Sequence, residues 1–132
     1  MEALIITALD AVWSQICEPR KLSTPDASTG RSFSVVNSDQ SSVSISTEGG
    51  SAMRIQREAF LAALRYLASH QHNQNNPCEI RSNQLAEEAG PLCQATRAVN
   101  SGTRVINYII PMLAITGLVE VRSSRPNAVW LV

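Results

Sequence analysis

The sequence predicts an α+β chain, mainly α, and three observations carry that prediction. Apolar residues recur at helical spacing in residues 2–17, 54–69 and 102–115. Two short alternating runs, 118–122 and 128–132, flank a turn-forming segment and read as a hairpin. A serine-rich stretch divides the chain into an N-terminal helix (1–17), a linker (18–52) and a domain (53–132).

In residues 2–17, Ile5, Ala8, Leu9, Val12, Trp13 and Ile16 form the stripe of an amphipathic helix, with Pro19 just beyond its end. In residues 18–52 ten of 35 residues are serine, and Pro25, Gly30, Gly49 and Gly50 are added. That average is too polar to offset chain entropy, so a mostly flexible linker is expected. Two alternations, Phe33/Val35 and Val43/Ile45, flank Asn37-Ser38-Asp39 and are the candidate for a short hairpin within it.

Residues 54–69 place Phe60, Ala63, Leu64 and Leu67 on one helix face, and the polar run before Pro77 ends it. A brief strand follows at 78–81. A helix is expected at 84–89, capped by Ser82 or Asn83, with Leu85, Ala86 and Ala89 turned inward and Gly90-Pro91 as its break. After a polar connection, Ser101 and Gly102 open a helix over 102–115 whose apolar set is Val105, Ile106, Ile109, Met112 and Leu113. Pro111 is awkward inside it, because proline removes a backbone hydrogen bond. Gly117 ends it, and the hairpin turns at 123–127. The series helix, short strand, helix, turn, helix, hairpin is the order of a winged helix-turn-helix domain.

Charge is asymmetric. Residues 1–52 hold three basic side chains against six acidic ones, whereas residues 53–132 hold eight arginines against five glutamates. This suggests a basic working surface in the second part. The three cysteines, Cys17, Cys78 and Cys93, are an odd number without a CxxC pair and read as reduced thiols. The apolar stretch 4–9 is too short for a membrane span of roughly 20 residues, so no membrane partner is expected and the cytoplasm is the expected location.

In a helix-turn-helix protein the second helix enters the major groove with its N-terminal residues on base edges. Here that helix would present Thr103, Arg104, Asn107 and Tyr108, with Ser101 at its start suited to a phosphate. Arg122 and Arg125 on the wing and Arg97 before the helix are further phosphate candidates. The expected partner is double-stranded DNA. The bland alternative for each arginine is a solvated surface charge. No catalytic motif is present, no cofactor is expected, and an enzyme is not predicted. His70, His72, Cys78 and Cys93 are zinc-ligand types, but the fourteen residues between the cysteines match no familiar finger, so no metal site is predicted.

Residues 57–122 resemble the first winged-helix region of RepA-type replication initiators of the IncFII plasmid group. The resemblance rests on Arg57-Glu58-Ala59 with Leu64, Cys78-Glu79-Ile80, and Leu85-Ala86-Glu87-Glu88-Ala89-Gly90. It continues through Ser101-Gly102-Thr103-Arg104, Pro111-Met112 and Gly117-Leu118-Val119. It implies binding to a plasmid origin and recruitment of host replication proteins, with Thr103 and Arg104 as DNA contacts. Family members are longer, carry a further DNA-binding region, and have a leader unlike residues 1–52. A transcriptional regulator on the same fold, dimerising through helix 2–17, and a protein-interaction module without DNA binding are the alternatives.

Overall fold

The computed structural model describes residues 2–83 and 85–132. Helix α1 (Glu2–Cys17) leads into four strands, β1 (Arg20–Ser23), β2 (Ser32–Ser38), β3 (Ser42–Thr47) and β4 (Ala52–Gln56). Helix α2 (Arg57–Ser69), strand β5 (Cys78–Glu79) and a 3-10 turn (Ala86–Glu88) follow. Helices α3 (Pro91–Ala98) and α4 (Ile106–Ala114) precede the hairpin β6 (Val119–Arg122) and β7 (Ala128–Leu131). The chain is thus α+β, with two antiparallel sheets among the described residues.

Residues 18–52 are not the flexible linker expected from their composition. They form an antiparallel meander in the order β1-β2-β3-β4. Its inner face carries Leu22, Phe33, Val35, Val43, Ile45, Met53 and Ile55, joined across the strands as Leu22 with Phe33, Val35 with Ile45, and Val43 with Ile55. Ser32, Ser34, Ser44 and Ser46 occupy the alternate positions and face outward. An antiparallel sheet with one wet face needs only every second residue apolar, which the average composition concealed. The expected hairpin is present as β2–β3, but Asn37 and Ser38 belong to the strand. The turn lies at 39–41, where the Asp39 carboxylate accepts the backbone N–H groups of Ser41 and Ser42, each at 2.8 Å. A bulge at Val36 leaves that side chain 53% exposed.

The expected stripe of α1 is buried by the chain itself. Ile5, Leu9, Trp13 and Ile16 join one apolar cluster that also takes in the meander, α2, α3, α4 and the second sheet. Trp13 meets Phe60 edge-on at 5.4 Å, donates its indole N–H to the Asp39 carbonyl at 3.1 Å, and lies under the Arg57 guanidinium at 4.8 Å. The face suggested for dimerisation is therefore occupied by the molecule's own core.

Helix α2 begins at Arg57, three residues later than expected, because residues 52–56 pair with β3. The helix expected at 84–89 is replaced. Gln84 lies outside the described residues, Leu85 and Ala86 are exposed, and only Ala89 turns inward. Asn83 accepts the Leu85 N–H at 3.0 Å, and Pro91 forces Gly90 to be extended, so just the 3-10 turn remains. Pro91 opens α3 instead of closing a helix, since its missing N–H costs nothing in a first turn. Gly90 is required there: its N–H donates to the Arg81 carbonyl at 2.7 Å, and a β-carbon would lie 2.7 Å from that of Arg81.

Helix α4 starts at Ile106 rather than 102. Ser101 (φ 58°) and Gly102 (φ 76°) are left-handed, a backbone that cannot continue a right-handed helix. The apolar set Val105, Ile106, Ile109, Met112 and Leu113 is fully buried as expected, and Pro111 is accommodated within the helix. In the second sheet β7 lies between β5 and β6.

The two parts are joined by Asn100, 5% exposed in the turn between α3 and α4. Its carbonyl oxygen accepts the Gln56 N–H at 2.7 Å and its amide donates to the Arg54 carbonyl at 3.3 Å. Asn100→Ala leaves both backbone groups without their partner and is expected to lower unfolding free energy by about 1–3 kcal/mol, measured by urea denaturation. A fragment of residues 53–132 strips β1–β3 from Ile55 and Trp13 from Phe60. It is expected to show no cooperative thermal transition, and a sharp transition would restore the linker reading.

Candidate functional site

The β1–β2 loop, residues 24–31, is a built element. Its neck closes where the Thr24 N–H donates to the Arg31 carbonyl and the Thr24 hydroxyl accepts the Arg31 N–H, each at 2.9 Å. Inside it, Asp26 accepts the N–H and hydroxyl of Ser28 at 2.9 and 2.7 Å. A β-carbon on Gly30 would sit 2.8 Å from the Asp26 carbonyl oxygen, so the loop closes on glycine. The loop then docks on the β6–β7 turn: the Ala27 N–H donates to the Ser123 carbonyl at 3.1 Å, and Asp26 pairs with Arg125 at 2.8 Å.

This docking forms one wall of a polar cleft of about 410 Å3. The β3–β4 turn adds Thr47 and Glu48, and the opposite wall is made by Ser82, Arg104, Asn107 and Tyr108. Arg31 and Arg104 both line it, and neither guanidinium has a hydrogen-bond or ion-pair partner among the described residues. The two carboxylates are already engaged. Asp26 is held well below the usual carboxylate range, first by the Ser28 hydroxyl and also by Arg125. Glu48 accepts the Ser32 N–H at 3.0 Å.

The sequence-predicted site residues divide accordingly. Ser101 and Thr103 are exposed on the turn before α4, and Arg104 is half-buried at the cleft. Asn107 donates to the Ser82 hydroxyl at 3.1 Å, and Tyr108 packs edge-on against Phe33 at 5.1 Å. Arg97 does not reach the surface: it is 6% exposed, with its guanidinium bonded to the Asn83 carbonyl and 3.7 Å from the Cys93 sulfur. Arg122 folds back on its own hairpin, donating twice to the Pro126 carbonyl at 3.0 and 2.9 Å. Arg125 is paired with Asp26. The outer face of α4 is therefore lined by β1 and β2 and is not free along its length.

Sequence reasoning missed Arg31, Thr29, Thr47 and Ser82. The signal was available for Arg31 alone, which follows Gly30 immediately before an alternating run.

Cys78 and Cys93 are buried, and desolvation pushes the Cys78 thiol up to about 11. His70 and His72 stack on Tyr66, at 4.1 and 5.8 Å. Among the described residues no group of three or more His, Cys, Asp or Glu side chains is placed to hold a metal ion. No helix of the described chain is long and apolar enough to cross a membrane. Comparison with protein-family models, with curated proteins and with solved structures returns no match.

The loop docking has a pH signature. A carboxylate whose folded pKa is depressed contributes stability above its unfolded pKa and loses it as pH falls through the folded one. Asp26 is expected to titrate below the ordinary aspartate value of about 3.9 when followed by carboxyl NMR, rising in Ser28→Ala. An ordinary midpoint would mean that the loop is not held as described.

Proposed function

We propose that the chain is a duplex-DNA-binding protein built on a winged helix-turn-helix unit, and that it contacts DNA with the turn before α4 and with the β6–β7 wing. The order α2, β5, α3, α4, β6, β7, with β7 between its partners, supports this reading. So does the arrangement at the start of α4. Arg104 has no ion-pair partner among the described residues and stands next to the exposed Ser101, Gly102 and Thr103, and this is the observation that carries the proposal.

The mode differs from a recognition helix lying along the major groove. Tyr108 and Asn107 are committed to Phe33 and Ser82, so the contact is made by the helix entrance and not by its whole outer face. Thr103 and Arg104 would meet phosphate or base edges, and Arg122 would follow the backbone from the wing. Within this reading the specific role is initiation or control of plasmid replication, as the resemblance to RepA-type initiators implies, with host replication proteins as partners. A cytoplasmic location belongs to the same proposal. The packing of Tyr108 on Phe33 and the pairing of Arg125 favour a second reading, a protein-interaction module that does not bind DNA.

Fluorescence anisotropy of the full chain with random-sequence duplex separates them. DNA binding is expected to weaken as salt rises, by close to one power of the salt concentration for each phosphate neutralised. Arg104→Ala is expected to weaken it further by roughly tenfold. No binding at low salt, or binding indifferent to Arg104, leaves the interaction module as the reading to keep.

A further inference from the structure

We propose that the cleft between the two sheets is a binding site for a single nucleotide, engaged through its phosphate by Arg31 and Arg104. The inference does not rest on duplex binding, because the cleft is built mostly from the N-terminal meander and its loop.

Three observations carry it. The first is charge. Two guanidinium groups from distant parts of the chain line one cleft with no acidic partner among the described residues, while Asp26 is paired with Arg125 and Glu48 accepts the Ser32 N–H. With Asp26 offset by its own arginine, Arg31 and Arg104 outweigh Glu48 and leave the cleft a net positive charge for an anion, and the planar guanidinium suits the oxygens of a phosphate.

The second is size. About 410 Å3 is far more than a bare phosphate needs and falls within the range of pockets for small organic ligands. The third is lining chemistry. Thr29, Thr47 and Ser82 bring hydroxyls, and Asn107 and Asn127, each with an amide N–H already given to Ser82 or to the Ser123 carbonyl, keep their amide oxygens as acceptors. Ile80 and the flank of Tyr108 add apolar surface. A phosphate, a hydroxyl-bearing sugar and a base with a hydrogen-bonding edge match that set.

The walls are fixed in advance. Asn100 anchors the turn that carries Arg104, and the Thr24–Arg31 hydrogen bonds anchor the backbone of Arg31. The site thus avoids most of the ordering cost that a mobile loop would bring to binding.

The nucleotide has two sources, a free nucleoside monophosphate or one unit of a DNA strand, and the experiment distinguishes them. Full-length protein is titrated calorimetrically with the nucleoside 5′-monophosphates, the matching nucleosides and a 5′-phosphorylated single-stranded oligonucleotide. Arg31→Ala, Arg104→Ala and, as a control outside the cleft, Arg54→Ala are tested alongside wild type.

The expected result is saturable binding of a monophosphate, at least tenfold weaker for the nucleoside. Arg31→Ala and Arg104→Ala should each weaken it at least tenfold, with Arg54→Ala as wild type. Binding of the oligonucleotide alone, with the same sensitivity to both arginines, supports the site with a DNA strand as its source. Binding of neither probe overturns the proposal. So does binding that survives both substitutions, or that falls equally in Arg54→Ala. Arg31 is exposed on a loop, so its removal tests the site without threatening the fold.

Discussion

Two hydrogen bonds at one buried side-chain amide hold the turn before α4 against the first sheet. Asn100 accepts from Gln56 and donates to the carbonyl of Arg54, at the point where β4 runs directly into α2. Its own backbone accepts the Thr103 N–H at 3.1 Å and donates to the Arg97 carbonyl at the same distance. The residue therefore ties the first sheet to the turn that carries Ser101, Gly102, Thr103 and Arg104. That tie acts with the buried Val105 and with the Tyr108–Phe33 contact to fix the position of Arg104 relative to the first sheet. A buried amide with its partners satisfied also penalises alternatives, because any other arrangement strands polar groups away from water.

The helices were legible in the sequence where the apolar period was long. The stripe of α1 and the apolar set of α4 are buried as the spacing requires. Punctuation is what the sequence leaves ambiguous. Proline can end a helix or stand in its first turn, and Pro91 opens α3. Glycine marks a helix boundary without saying which side, and the left-handed backbone of Gly102 closes the turn before α4. The meander is hidden for a different reason. Serine at every second position lowers the average hydrophobicity of residues 18–52 without disturbing the period-two signal.

The charge asymmetry was real, and the structure assigns much of it to internal pairing. Glu2 with Arg65, Asp10 with Arg57 and Asp26 with Arg125 each join an acid of the first part to an arginine of the second. Surface pairs of this kind contribute little stability. They do neutralise cations that composition alone would count toward a DNA-binding face. The candidate site that remains is consequently smaller than expected and differently placed. Arg97 serves the interior, Arg125 holds a loop, and Arg104 is joined by an arginine from the segment read as a linker.

That loop makes the two proposed sites physically contiguous. Residues 24–31 form one wall of the cleft, and the same residues hold the β6–β7 turn through Ala27 and Asp26. A nucleotide in the cleft would touch the wall whose far side grips Ser123 and Arg125. Both proposals also call on the Arg104 guanidinium, so a nucleotide in the cleft and a duplex at the turn before α4 would compete for one cation. Linkage requires the effect to be reciprocal: whatever a bound duplex does to nucleotide affinity, the nucleotide does equally to the affinity for DNA. The two proposed sites would therefore be antagonistic through one arginine.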